Sequence, residues 1–171
     1  MRKLYLLRHA KSSWNDPGQD DFERPLAPRG IKACKLMKAH IQDARIEPGL
    51  ILCSPAVRAR ETHVRVAAAF ASDTEVRFEI GLYAAGSQAL LSRLRQVSPT
   101  VSSIMMIGHN PGIEQLALEL AGDTATTPAA RMRRKYPTLA LACFEISSRT
   151  WAAAGPKCAR LSSFVIPRDL R

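Results

Sequence analysis

Short apolar runs, each stopped by polar or turn-forming residues, alternate with longer stretches whose apolar positions recur every three or four residues. Leu4 to Leu7, Leu50 to Cys53 and Ser103 to Ile107 are too short for core helices and suit buried strands, and Glu75 to Ile80 is a further strand candidate. Between them Ile31, Cys34, Met37 and Ile41 lie at helical spacing, with Lys32, Lys35 and Lys38 among them. Pro28 fits the first helical position, although Ala27 before it offers no side-chain oxygen to the first amides. That helix is expected to end near Asp43 to Arg45. Three more helices are expected: Arg58 to about Phe70; one capped by Ser87 and carrying Leu90, Leu91, Leu94 and Val97; and one carrying Ile113, Leu116, Ala117 and Leu120. This alternation up to residue 121 predicts an α/β fold, a parallel sheet with helices on both faces. Thr138 to Ile146 and Ala159 to Ile166 read as two more strands, able to pair antiparallel around Gly155-Pro156. Asp16 to Asp21 and Asp123 to Pro137 read as loops.

Composition narrows this only modestly. A chain of 171 residues with 46% hydrophobic content suits one domain spanning residues 1–171. No apolar stretch is long enough to span a membrane, and four apolar residues after Arg2-Lys3 do not make a signal peptide, so a cytoplasmic location with no membrane partner is expected. Cys34, Cys53, Cys143 and Cys158 form no CxxC pair and have no histidine at ligand spacing; free thiols are expected, not a zinc site. The net charge of +10 raises nucleic acid as a partner. Against it, no recognition motif is present and the basic residues are mostly dispersed. Their one cluster, Arg131 to Lys135, reads either as a solvated loop or as a docking patch for an acidic partner.

The chemistry gathers where the strands end. The first delivers Arg8 and His9, the fourth runs into Gly108-His109, and Arg58 follows the second at the start of a helix. In a parallel sheet all carboxyl ends share one edge, so these four side chains can converge. Two arginines and two histidines around one point suit a phosphoryl group. Arginine forks match phosphate oxygens, one histidine can carry the group covalently, and the other can donate a proton to it. With neither a carboxylate cluster nor a Walker loop, no metal and no cofactor are expected.

These motifs resemble those of the histidine phosphatase superfamily. Arg8-His9-Ala10 resembles its Arg-His-Gly signature, with Ala10 in place of the usual glycine, and Arg8 to Asn15 is similar to the longer form in the phosphoglycerate mutase branch. Ser54 to Thr62 and Gly108-His109-Asn110-Pro111 look like its second arginine and second histidine motifs. Asp21 to Gly30 and the ending Phe164 to Leu170 resemble the small SixA-type branch. The resemblance implies a phosphoglycerate-mutase-like three-layer α/β/α sandwich, with a mostly parallel sheet and an antiparallel portion. It also implies a metal-independent phosphatase with His9 as nucleophile, Arg8, Arg58 and His109 as the other catalytic residues, and Asn15 in substrate binding. The substrate expected is phosphohistidine in a signalling protein, with inorganic phosphate as product. The alternatives are a small-molecule phosphomonoesterase of the same superfamily and a non-catalytic phosphate- or nucleic-acid-binding module. Larger members carry a glutamate acid after the third strand. Here Glu79 is the nearest carboxylate, read either as that acid or as a strand residue facing solvent.

Overall fold

The computed structural model describes residues 1–123 and 125–171. Strands β1 (Arg2–Arg8), β2 (Leu50–Cys53), β3 (Glu75–Phe78), β4 (Ser103–Gly108), β5 (Leu141–Ile146) and β6 (Ala159–Val165) form one sheet in the order β3-β2-β4-β1-β5-β6. β1, β2, β3 and β4 run parallel, whereas β5 and β6 are antiparallel additions. The expected mixed sheet is therefore the one observed, with helices on both faces.

The continuous apolar runs are explained by burial on both sides. Alternate residues face opposite layers. Leu4, Leu6, Leu50, Leu52, Ile104 and Met106 pack beneath helices α3 (Ser87–Arg95), α4 (Gly112–Leu120) and α5 (Thr127–Arg134). Tyr5, Leu7, Ile51, Cys53, Met105 and Ile107 pack against α1 (Pro28–Asp43) and α2 (Val57–Val66). A fully buried leucine of this kind contributes about 1.5–3 kcal/mol relative to exposure.

Two glycines allow helices to approach the strand-end loops. A Cβ on Gly30, in the first turn of α1, would stand 2.2 Å from the Lys11 carbonyl oxygen. One on Gly112, at the start of α4, would stand 2.1 Å from that of Ala85. Both helices therefore lie against the loops that carry the candidate chemistry.

Several expectations need correction. The second helix ends at Val66 and tightens into a 3-10 turn, Ala67–Ala69, so Phe70 lies outside it. Ser87 does not cap α3: Gly86 is the N-cap, and the Ser87 hydroxyl donates to Glu119 at 2.6 Å. β3 stops at Phe78, and β5 starts only at Leu141. Leu139 adopts φ 61°, a left-handed turn that interrupts the strand and aims its amide at the Arg8 and His9 carbonyls. The largest miss lies within 123–137, expected as a loop. Thr126 caps α5, its hydroxyl accepting from the Ala129 amide; Thr124 in that stretch lies outside the described residues. Arg131 in α5 pairs with Asp169, and Met132 is buried, while Arg133, Arg134 and Lys135 are exposed. Among the described residues no helix is long and apolar enough to cross a membrane.

Candidate active site

The carboxyl edge of the parallel strands opens into a cavity of about 360 Å³, and Arg8, His9, Arg58 and His109 all line it. The sheet register explains the meeting. Arg8 lies opposite Gly108 at the end of the β1–β4 pair, so His9 and His109 leave adjacent strands at the same height. Their ring centroids are 5.1 Å apart. Arg58 arrives from the first turn of α2, held by a short relay: the Ala10 amide donates to Thr62 Oγ1 at 3.0 Å, and that hydroxyl donates to the Arg58 carbonyl at 2.7 Å.

His9 is held in one tautomer. Its Nδ1 lies 2.7 Å from the Ala10 carbonyl oxygen. A carbonyl only accepts, so Nδ1 carries the hydrogen and the neutral ring keeps its lone pair on Nε2. Burial pushes the His9 pKa down to about 3, and the nearby His109, Arg58 and Arg8 push the same way; the Ala10 hydrogen bond opposes them. His9 is therefore neutral across ordinary pH. Ala10 is buried and is not among the residues with positive φ, so its backbone needs no glycine there.

His109 Nε2 shares a 2.7 Å hydrogen bond with Ser54 Oγ, which also accepts from the Ala56 amide. Its Nδ1 is buried with no protein partner. Burial and then Arg58 lower its pKa to about 4. Arg8 donates from Nη1 to the Tyr136 carbonyl at 3.0 Å, while its Nε has no protein partner. Tyr136 is fully buried and donates its own hydroxyl to the Leu6 carbonyl at 2.6 Å, fixing that carbonyl's position.

Asp21 organises the other wall, a role sequence reasoning did not assign. Arg58 donates from Nη1 to the Asp21 carbonyl at 2.6 Å and from Nη2 to Asp21 Oδ2 at 3.0 Å. The end of the guanidinium is thus taken, and its side edge, including the unpartnered Nε, is left for another acceptor. The Tyr83 hydroxyl donates to the same Oδ2 at 2.6 Å, and Arg24 Nε to Oδ1 at 3.1 Å. Tyr83's hydrogen bond and then Arg58's, against the penalty of burial, lower the Asp21 pKa to about 2. Asp21 is therefore ionised. Arg24 is itself buried, donates to Ser12 Oγ at 2.7 Å, and lies 3.5 Å below the Trp14 ring.

Two sequence candidates fall outside this group. Asn15 is exposed and does not line the cavity; its neighbour Trp14 does. Glu79 does not line it either. Arg93 holds both its oxygens, at 2.7 and 2.8 Å, and lowers its pKa. The loop after β3 brings Tyr83 to the cavity instead. The available signals were the Asp21-x-x-Arg24 spacing in an acidic loop and an aromatic residue at a strand's carboxyl edge. Among the described residues no group of three or more His, Cys, Asp or Glu side chains is arranged to hold a metal ion.

Comparison with known proteins identifies the family and the fold. The profile of the histidine phosphatase superfamily (branch 1) matches residues 4–83. An uncharacterized Mycobacterium tuberculosis protein is 34% identical over 164 residues, covering 95% of this chain and all of that one. Among solved structures, the candidate phosphohistidine phosphatase SixA of Agrobacterium tumefaciens superposes with a TM-score of 0.83 at 31% identity, covering 97% of this chain and 98% of that one. The protein histidine phosphatase SixA complexed with tungstate shares the fold, with a TM-score of 0.79 at 20% identity and 99% of each chain covered. The sheet is thus phosphoglycerate-mutase-like, as the resemblance implied. This chain belongs to the histidine phosphatase superfamily, in its SixA-type branch.

Proposed function

We propose that the protein removes phosphate from phosphohistidine in a protein substrate, through a covalent intermediate on His9. Arg8 and the side edge of Arg58 grip the phosphoryl oxygens, and His109 Nδ1, with its hydrogen, donates to a third. In that tautomer Ser54 donates to His109 Nε2. The Nε2 lone pair of His9 attacks phosphorus. The bond from phosphorus to the substrate nitrogen breaks, and its electron pair returns to the substrate ring. That ring leaves neutral when its distal nitrogen carries a proton, which solvent supplies away from the reacting centre. Phosphorylated His9 is then a cationic ring whose Nδ1 hydrogen is held by Ala10. Water attacks phosphorus in turn, His9 leaves as neutral imidazole, and the water's proton stays with the phosphate. Arg8 and Arg58 supply the positive charge in these steps, neutral His109 supplies a hydrogen bond, and no metal is invoked.

One observation carries the choice of substrate: among the described residues no carboxylate is placed to serve as a general acid. Among the described residues, Asp21 is the one carboxylate lining the cavity, and it is ionised; Glu79 is tied to Arg93. The Tyr83 hydroxyl is committed to Asp21, which raises its pKa. An alkoxide leaving group needs a proton as its bond breaks, whereas an imidazole, with an ordinary pKa near ~6.5, can already carry one on its far nitrogen. The relative named for phosphohistidine phosphatase activity points the same way. The test is turnover of a phosphohistidine protein beside phosphoglycerate and sugar phosphates, with His9→Ala as control and label trapped on His9 under neutral quench. Fastest turnover of a small ester would replace this reading with that of a small-molecule phosphomonoesterase.

A further inference from the structure

The floor of the cavity accounts for a phosphoryl group, but its mouth carries a feature that chemistry at phosphorus does not require. Trp14 is 69% exposed. Among the described residues, of the large apolar side chains left exposed (Met1, Trp14, Val64, Phe78 and Ile80), Trp14 alone lines the cavity. Most exposed apolar residues carry no message; a large aromatic ring at the mouth of a site is different.

The indole is also held in place. Its inner face lies on the Arg24 guanidinium, 3.5 Å from ring centroid to carbon. Arg24 is buried and fixed by Asp21 and Ser12. The backbone beside Trp14 is pinned as well: the Ser13 amide donates to the Pro25 carbonyl at 2.8 Å, and Ser12 forms a bridge with Leu26. A rigid ring with one face supported and the other open loses little freedom when a partner covers it. Tryptophan is enriched among the few residues that carry most of the binding energy at protein interfaces. If Trp14 served only to shield Arg24, its outer face would have no use.

We infer that Trp14 is a docking platform for the polypeptide that flanks the phosphorylated histidine, contacting the carrier chain and not the transferring group. The inference rests on the proposed phosphohistidine substrate. The surroundings define the carrier. Lys11 lines the same cavity, and the loop that brings Thr138 to it follows directly on exposed Arg133, Arg134 and Lys135. The segment that fits places an apolar side chain on the indole and acidic side chains toward these cations.

The test compares two substrates with the same reacting ring: free phosphohistidine, and a short acidic peptide with a leucine beside a central phosphohistidine. Trp14→Ala should raise KM for the peptide by about tenfold or more relative to its effect on the free amino acid, with kcat for the peptide little altered. Trp14→Phe, which keeps a ring, should recover most of that difference. Trp151 is fully buried, so acrylamide quenching reports chiefly on Trp14, and the unphosphorylated peptide should protect the wild-type protein from quenching. Equal losses on both substrates would mean that Trp14 acts through Arg24, and no loss on either would mean that it is unused; each outcome overturns the inference. If the wild-type protein turns over neither phosphohistidine substrate while cleaving small esters, the proposed function itself fails and takes the platform with it.

Discussion

Replacing Asp21 with asparagine should tighten the binding of inorganic phosphate. Asp21 accepts from the end of the Arg58 guanidinium and leaves the side edge open. An oxyanion taken by that edge shares one planar group with Asp21, which puts the two anions about 5 Å apart. Like unit charges at about 5 Å repel by about 3 kcal/mol at an effective dielectric of about 20, and by under about 1 kcal/mol in water. The Asp21 side chain is 49% exposed, so the water-like end of that range governs. About 1 kcal/mol is roughly a fivefold change in affinity, and more for a dianion. The aspartate thus aligns Arg58 and also pushes product out. In Asp21→Asn the backbone carbonyl still accepts from Arg58 Nη1, so alignment is largely kept while the repulsion is lost. The assay is phosphate inhibition of turnover, with calorimetric titration of phosphate as a readout independent of activity. If phosphate binds more weakly to Asp21→Asn than to the wild-type protein, the repulsion argument is wrong and alignment of Arg58 is the whole role.

Glu79→Gln should change kcat/KM by less than about threefold on either phosphohistidine or ester, because Glu79 serves Arg93; it should lower the thermal midpoint slightly, as expected for loss of a half-buried ion pair. A selective collapse of ester hydrolysis would restore it as the acid. Charge reversal at Arg133 and Arg134 should raise KM for an acidic phosphohistidine protein, and the effect should shrink as salt rises; an effect independent of salt would count against docking through this helix end. His9 and His109 fold as neutral rings with pKa values of about 3 and 4, against an ordinary ~6.5. The unfolded chain therefore binds protons first, and the denaturant midpoint should be level above about pH 6.5 and fall from there toward pH 3, less steeply in His109→Gln; an equal slope in that variant would remove His109 from the linkage.

Where the sequence spoke clearly, the signal came from burial on both faces of the sheet. Runs such as Leu50 to Cys53 and Ile104 to Ile107 can be little else in a chain of alternating runs and helical stretches, and their common carboxyl edge brings Arg8, His9, Arg58 and His109 together. Helix α5 was hidden because only Ala129 and Met132 of it are buried, too narrow an apolar stripe to show periodicity among arginines. Thr126 is its cap and Pro128 stands in its first turn, but polarity, basic charge and proline content together read as a loop. Asp21, Arg24 and Tyr83 were not read as site residues, because long-range contacts of Asp21 with Arg58 and Tyr83, and the local Asp21–Arg24 pair, bring them in, not position at a strand end. Glu79 misled for the opposite reason: its place after the third strand was right, but its side chain pairs with α3.

The electrostatics of His9 bear on which reaction this edge favours. An imidazole buried beside two arginines is cheap to keep neutral and costly to charge, which is why its pKa falls so far. On the proposed path that property acts twice and in opposite senses. A less basic nitrogen is a weaker nucleophile, so the first transfer proceeds best from a labile donor such as phosphoimidazole. The same nitrogen is a better leaving group, so the phosphoenzyme discharges to water readily once formed. Ala10 keeps the Nδ1 proton in place for both steps, so the ring enters and leaves in one tautomer. A site meant to store the phosphoryl group and pass it to a second alcohol would gain from a more basic histidine and a longer-lived intermediate. On the proposed path the low basicity of His9 favours emptying the site, and the ionised Asp21 beside Arg58 would work in the same direction by opposing retention of phosphate.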